Sequence, residues 1–328
     1  MEMDFRTELI LPGSGNRIEH HHKIFTIGSC FAENMSDLFS KYKFRVMGNP
    51  FGVLYNVVSV HNALESAVNQ KRFVKEDLVF DQEEWHSLYH HSDFSHHNAD
   101  ECITRINESV KSAFAFLKDA DIVIITYGTS FVYRHKEKDI IVSNCHKIPA
   151  VNFEKILLSI DETKKQIKKT IDIISALNPK VRIIFTVSPV RHLKDGFAEN
   201  NLSKSILIAA LNEVLPDAPN AEYFPSYEIV MDDLRDYRFY GDDLVHPNKT
   251  AVEYIWQKFS DRYFSRDCVD LINEIKKIVN ARNHRVRNHE SVKYKEFAGG
   301  MLKKISDLNT KYGYINLSEE KDYFENEG

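Results

Sequence analysis

Two short stretches far apart in the chain carry residue types suited to acyl transfer: Gly28-Ser29 and Asp243-Leu-Val-His246. A serine hydroxyl is a poor nucleophile near neutral pH. It becomes competent when an imidazole takes its proton and a carboxylate holds that imidazole in the right tautomer. The D-x-x-H spacing puts both partners on one loop, so Asp243 can accept from one ring nitrogen of His246 while the other faces Ser29. Each signal alone is weak, because a Gly-Ser after a strand usually only caps the next helix. The two together weigh more in a fold that brings both ends of the chain to one site.

The surrounding pattern predicts such a fold. Lys23-Ile-Phe-Thr-Ile27 is a β-branched and aromatic run, and Phe31, Met35, Leu38, Phe39 and Tyr42 follow at helical spacing. Ser29 therefore falls at a strand-to-helix turn, where the free N–H groups of a new helix favour negative charge. Further strands are expected over 44–47, 121–126, 181–186 and 221–224, and helices over 57–67, 107–117, 160–177, 202–214 and 247–264. Ser159 with Glu162 forms a capping box, and Asn178-Pro179 closes the helix that it opens. This alternation implies an α/β fold, a parallel sheet covered on both faces, with ligands gathering at the carboxyl ends of the strands. A hairpin is expected over 131–134 and 139–142. The aromatic, histidine-rich stretch over about 78–97 looks like an insertion beside the sheet. Beyond Phe264 the pattern is helical only, so a domain over 1–265 is expected to carry a helical extension, 266–328, packed on the core and ending in a frayed acidic tail from Glu319.

Composition narrows the function classes. A chain of 328 residues with 43% hydrophobic and 28% charged residues can bury a full core, and its net charge of −5 gives no field that would draw it to nucleic acid or an anionic membrane. Cys30, Cys102, Cys145 and Cys268 are scattered without a C-x-x-C pair, which suggests reduced thiols. Cys30 reads as a small buried side chain of the helix after Ser29. The N-terminal stretch lacks the features of a secretory signal, and no run of about 18 apolar residues occurs, so a soluble cytoplasmic protein is expected.

Once these residues are assembled, Gly28-Ser-Cys-Phe-Ala32 resembles the name-giving motif of the GSCFA family, a branch of the SGNH/GDSL hydrolase superfamily. Other stretches are similar to that family's pattern: Asn49-Pro-Phe-Gly-Val-Leu-Tyr-Asn56, His90-His-Ser-Asp-Phe-Ser95, Gly128-Thr-Ser-Phe-Val-Tyr133, Asn144-Cys-His-Lys147, Ser188-Pro-Val-Arg-His192 and Tyr240-Gly-Asp-Asp-Leu-Val-His-Pro247. The resemblance implies a flavodoxin-like three-layer α/β/α sandwich. It also implies hydrolysis or transfer of an O-acyl group, often acetyl, with Ser29 as nucleophile, Asp243 as acid and His246 as base. The implied oxyanion donors are the Ser29 N–H, a glycine after the second strand and an asparagine after the third. Gly52 fits the glycine, and Gly48 less well. Gly128-Thr129-Ser130 stands where the superfamily has Gly-x-Asn, so Asn144, returned by the hairpin, is the expected substitute, with the Thr129 and Ser130 hydroxyls as alternatives.

The expected substrate is a small O-acyl ester, with an acylated sugar as one candidate. Asn49, His90, His91, Thr129, Ser130, His146, Arg191 and His192 are candidate substrate contacts. The alternative is a catalytically weakened scaffold that binds a carbohydrate or metabolite, because loss of one oxyanion donor typically costs about 10² to 10³ in rate. No cofactor is implied. His86, His90, His91, His96 and His97 match no standard zinc spacing, so no metal is assigned. His20 to His22 read as surface. The basic stretch Lys276, Lys277, Arg282, His284, Arg285 and Arg287 reads as a solvated or ion-paired face, since no aromatic interleaving supports nucleic-acid binding.

Overall fold

A computed structural model of the chain describes residues 6–284 and 286–326, so Arg285 lies outside the described residues. The chain forms two compact units. The first holds the segment ending at Leu11, Lys23–Ser36 and Val46–Gln257; the second holds Pro12–His22, Asp37–Arg45 and the chain from Lys258 onward.

The frame of the first unit is a five-stranded sheet built from β1 (Lys23–Gly28), β2 (Arg45–Gly48), β5 (Ile122–Tyr127), β9 (Arg182–Val187) and β10 (Ala221–Phe224), in the order β10-β9-β5-β1-β2. The β1/β5, β5/β9 and β9/β10 pairs are parallel, and their register aligns Gly28 with Thr126 and Thr126 with Thr186. The strand order reverses between β1 and β5. This is the flavodoxin-like arrangement, whose crevice opens at the carboxyl ends of those two strands.

Alternation along the strands explains the burial. Phe25 and Ile27 of β1, Val123 and Ile125 of β5, and Ile183 and Phe185 of β9 share one core with α2 (Val57–Val68), α3 (Ala99–Leu117), α4 (Ile160–Leu177) and α5 (Phe197–Val214). The intervening residues Ile24, Ile122, Ile124 and Ile184 are buried as well, so the sheet is covered on both faces. Ser159 caps α4 and exchanges bonds with Glu162, as the capping-box pattern predicts.

Two smaller sheets flank the frame. The histidine-rich stretch contains the antiparallel pair β3 (Leu78–Asp81) and β4 (Glu84–Ser87). The expected hairpin forms as β6 (Phe131–His135) and β7 (Ile140–Val142) and gains a third strand, β8 (Phe153–Leu157), on the other side of β6. β8 escapes sequence reading because its Glu154 and Lys155 break the apolar run. Two helices begin earlier than their apolar spacing suggests, α3 at Ala99 under an Asn98 cap and α5 at Phe197. In the other direction, α7 (Lys249–Tyr263) starts after Asn248, whose side chain accepts from the Ala251 N–H. Pro247 instead pairs with Tyr240 ahead of the helix. A helical turn, α6 (Ser226–Glu228), runs into a wider turn over Ile229–Leu234 between β10 and α7.

In the second unit α8 (Arg266–Arg282), α9 (Val292–Lys311) and α10 (Ser318–Asn326) share a core of Leu271, Ile275, Ile278, Tyr294, Ala298, Ile305 and Phe324. The acidic segment from Glu319 to Asn326 is thus a helix rather than a frayed tail: Phe324 anchors it, and Glu320 pairs with Lys43 at 2.8 Å. Arg282 pairs with Glu319 and Lys277 with Glu274, so part of the basic stretch is neutralised locally. His20 is buried rather than exposed, bonded to the Tyr42 carbonyl at 2.8 Å and stacked on Phe44. No helix among the described residues is long and apolar enough to cross a membrane.

Candidate active site

Ser29 sits between β1 and α1 (Cys30–Lys41). Gly28 makes that turn possible: its φ is +140°, and a Cβ there would lie 2.1 Å from the Thr126 carbonyl oxygen. The Ser29 N–H donates to that same carbonyl at 3.0 Å. Its hydroxyl is buried and has no hydrogen-bond partner, so the serine does not cap α1 in the usual way. A buried, unspent hydroxyl costs stability unless a ligand uses it.

Beside it stands Asn49, with its backbone N–H on the Thr26 carbonyl and its Oδ1 accepting from the Gly28 N–H at 2.8 Å. Because Gly28 N–H can only donate, the other amide atom of Asn49 must be the NH₂ group. That Nδ2 is buried and has no partner. The Ser29 hydroxyl and the Asn49 amide are therefore two unused polar groups flanking one glycine.

Asp243 and His246 form a self-contained turn. Asp243 Oδ2 lies 2.6 Å from His246 Nδ1, while its Oδ1 accepts from the backbone N–H groups of Val245 and His246. These bonds, the one from the His246 backbone first, hold the Asp243 carboxyl down at about 2, so it stays ionised. Both side chains are about half exposed. His246 reaches a cavity of about 770 Å³ that Cys30, Tyr55, His91, Thr129, Asn144, Arg191 and His192 also line. The β6–β8 sheet supplies Phe131, Tyr133, Val142, Phe153 and Lys155 to its wall.

Family models decide the affiliation. The GSCFA family model matches residues 23–259, and the model of the GSCFA domain protein, C-terminal domain, matches residues 275–327. The chain belongs to the GSCFA family. Comparison of this GSCFA protein with curated proteins finds no match. Among solved structures, a Streptococcus pneumonia protein described as a candidate platelet activating factor is 12% identical; the match covers 74% of this chain and 83% of that one, with a TM-score of 0.40. A carbohydrate esterase family 3 structure from Talaromyces cellulolyticus is 13% identical over 50% of this chain and 63% of that one, with a TM-score of 0.27.

The cavity of the GSCFA chain gathers some of the residues expected from sequence and leaves others elsewhere. His91, Thr129, Asn144, Arg191, His192 and His246 line it; Ser29, Asn49, Gly52, His90, Ser130, His146 and Asp243 do not. Gly52 turns the chain at φ +73° under the His91 side chain, and its N–H donates to the Asn49 carbonyl at 2.8 Å, so that donor is already engaged. Asn144 Oδ1 accepts from the His146 N–H at 2.9 Å. The N–H groups of Gly128 and Thr129 both donate to the Tyr55 carbonyl, and the Thr129 and Ser130 hydroxyls bond to Ser203.

The histidines divide by burial. His90 is packed among Phe51, Phe73 and Phe94 and bonded to Ser87 Oγ at 2.7 Å, and burial lowers its pKa to about 3. His146 stacks on His86 and bonds to the Ser87 carbonyl, with burial lowering its pKa to about 4. His86 bonds to Ser95 Oγ and the Asp81 carbonyl. Among the described residues no group of three or more His, Cys, Asp or Glu side chains is arranged to hold a metal ion. At the cavity, His192 stands edge-on to Tyr55 with its Nε2 buried and unpartnered, and burial lowers its pKa to about 4.

Lys204 of α5 has no counterpart in the sequence reading. It is fully buried and donates to the carbonyls of Gly128 at 2.6 Å and Ser188 at 2.7 Å, tying together the loops after β5 and β9. Burial lowers its pKa to about 7. One signal was available: Lys204 precedes the buried Leu207 and Leu211 by three and seven residues, which places it on the core face of the helix.

Proposed function

We propose that this GSCFA protein is a serine hydrolase or O-acyltransferase of the SGNH type, acting on small O-acyl esters, acylated sugars among them. One observation carries the reading. The Ser29 hydroxyl is buried without a partner at the point where the strand order reverses, although a serine opening a helix would normally spend it on a cap. The ionised Asp243 orients His246 at a cavity that begins one residue after Ser29, at Cys30.

In the proposed reaction Ser29 Oγ attacks the ester carbonyl carbon as His246 Nε2 takes the hydroxyl proton. The tetrahedral oxyanion collapses, the C–O bond to the alcohol breaks, and His246 returns the proton to the departing oxygen. Water or a second alcohol then releases the acyl group from Ser29 by the same steps in reverse. For the oxyanion, Asn49 Nδ2 is favoured over the expected Ser29 and Gly52 N–H groups, which are spent on the Thr126 and Asn49 carbonyls, because it is a buried amide beside Gly28 with no other partner.

Labelling by a fluorophosphonate probe tests the reading. Wild type is expected to label and to release p-nitrophenol from p-nitrophenyl acetate, and Ser29→Ala is expected to do neither. Equal labelling of Ser29→Ala, or none of wild type, would sink it. A binding scaffold without turnover is the second reading, favoured by the Ser29 and Gly52 N–H groups being spent on the Thr126 and Asn49 carbonyls rather than left for an oxyanion. Its signature is ligand-induced thermal stabilisation without product, unchanged in His246→Ala.

A further inference from the structure

The charge on the cavity wall is one-sided. Lys147, Lys155, Arg191 and Lys194 line it, and Asp195 is its one lining carboxylate. Asp195 is taken by Lys155, 2.5 Å away, and the same ammonium lies 4.1 Å from the centre of the Phe131 ring. Among the described residues no carboxylate lies within ion-pair distance of Lys147, Arg191 or Lys194. Three cations thus face one cavity unpaired in a chain whose net charge is −5.

Arg191 is the most telling of them. It is half-buried, and the partner of its side chain is the Met231 sulfur, 3.0 Å from Nη2. A thioether is a weak acceptor, so most of a five-donor fork is left for something else. The loop that carries it is fixed, because the His192 N–H next door donates to Asn200 Oδ1 at 2.9 Å. Arg191 also borders a smaller cavity with Met231 and Asp236, and a guanidinium with unspent donors on a wall shared with Lys147 and Lys194 matches a planar or tetrahedral oxyanion group such as carboxylate or phosphate. His192 adds a buried, unpartnered Nε2 to the same wall.

We infer that the cavity selects an anionic ester: the alcohol portion of the substrate carries a carboxylate or phosphate that Arg191, Lys147 and Lys194 hold while His246 faces the acyl group. This rests on the hydrolase reading above. Phe131, Tyr133 and Phe153 then offer the apolar part of the molecule a wall, and the cations set its direction.

The test compares matched esters: an O-acetyl methyl glucoside, the corresponding O-acetyl glucuronate, and the corresponding sugar phosphate. Wild type is expected to prefer at least one acidic ester by about tenfold in kcat/KM, as for a hydrogen bond to a charged group. The preference should shrink as sodium chloride is raised, and Arg191→Gln and Lys194→Gln should each reduce the ratio of acidic to neutral kcat/KM severalfold. Calorimetric titration of Ser29→Ala with glucuronate and with inorganic phosphate reads the anion site without turnover and tells the two chemistries apart. Turnover of the neutral ester with no acidic preference and no anion binding would overturn the inference and leave the hydrolase reading intact. Saturable anion binding weakened by Arg191→Gln, without turnover of any ester, would uphold the anion site and remove the hydrolase.

Discussion

His246 and the pair His86 and His90 are the same residue type under opposite physical constraints. His246 is about half exposed, faces a cavity and is held by an ionised carboxylate on its own loop. His86 and His90 are buried, and their ring bonds are spent on serine hydroxyls and a backbone carbonyl within the same hairpin region. Burial penalises the imidazolium, so His90 stays neutral through the pH range where a general base must pick up a proton. A histidine count therefore says little about chemistry. What separates the two is whether the ring opens on a cavity or is packed into the core.

The largest expected effect breaks the comparison if it fails. His246→Ala should lower acyl transfer from a good ester by about 10⁶, and Asp243→Asn by a smaller factor of about 10⁴. Steady-state kinetics at saturating ester check both, and a loss no greater than that from His86→Ala would erase the distinction between the two regions. For His90→Ala the cost should fall on folding instead. Emptying a site lined by Phe51, Phe73 and Phe94 should lower stability by about 2 to 4 kcal/mol in a urea melt, with a far smaller loss of rate than His246→Ala.

The smallest effect sharpens the contrast through pH. His90 and His146 have folded pKa values lowered to about 3 and about 4, against 6.5 when unfolded. Between those values the unfolded chain binds more protons, so their contribution is complete above pH 6.5 and is lost as pH falls towards 3. The urea midpoint should drop steadily over that window, and His90→Phe should flatten part of the slope. An unchanged slope would mean that His90 gains its proton in the folded state as easily as in the unfolded one.

Much of the frame was legible because each element follows a local rule. The β-branched runs became β1, β5 and β9, and the Ser159 and Glu162 pattern became a working capping box. The Asp243 and His246 pairing was legible for the same reason, since both partners lie three residues apart and close their own hydrogen bonds. β8 was missed because its charged residues hide a strand that only β6 stabilises. Lys204 was missed because its carbonyl partners come from residues 76 and 16 positions away.

By itself the sequence determined which groups are available: a serine after a glycine that alone tolerates φ +140°, and a carboxylate and imidazole joined by their own turn. Only the tertiary structure decided which of them are free. Ser29 and Gly52 lose their N–H groups to the Thr126 and Asn49 carbonyls, and Asn49 keeps an unspent amide beside Gly28. The physical reason is that a donor's availability depends on every acceptor the fold brings within about 3 Å, and no local pattern encodes that.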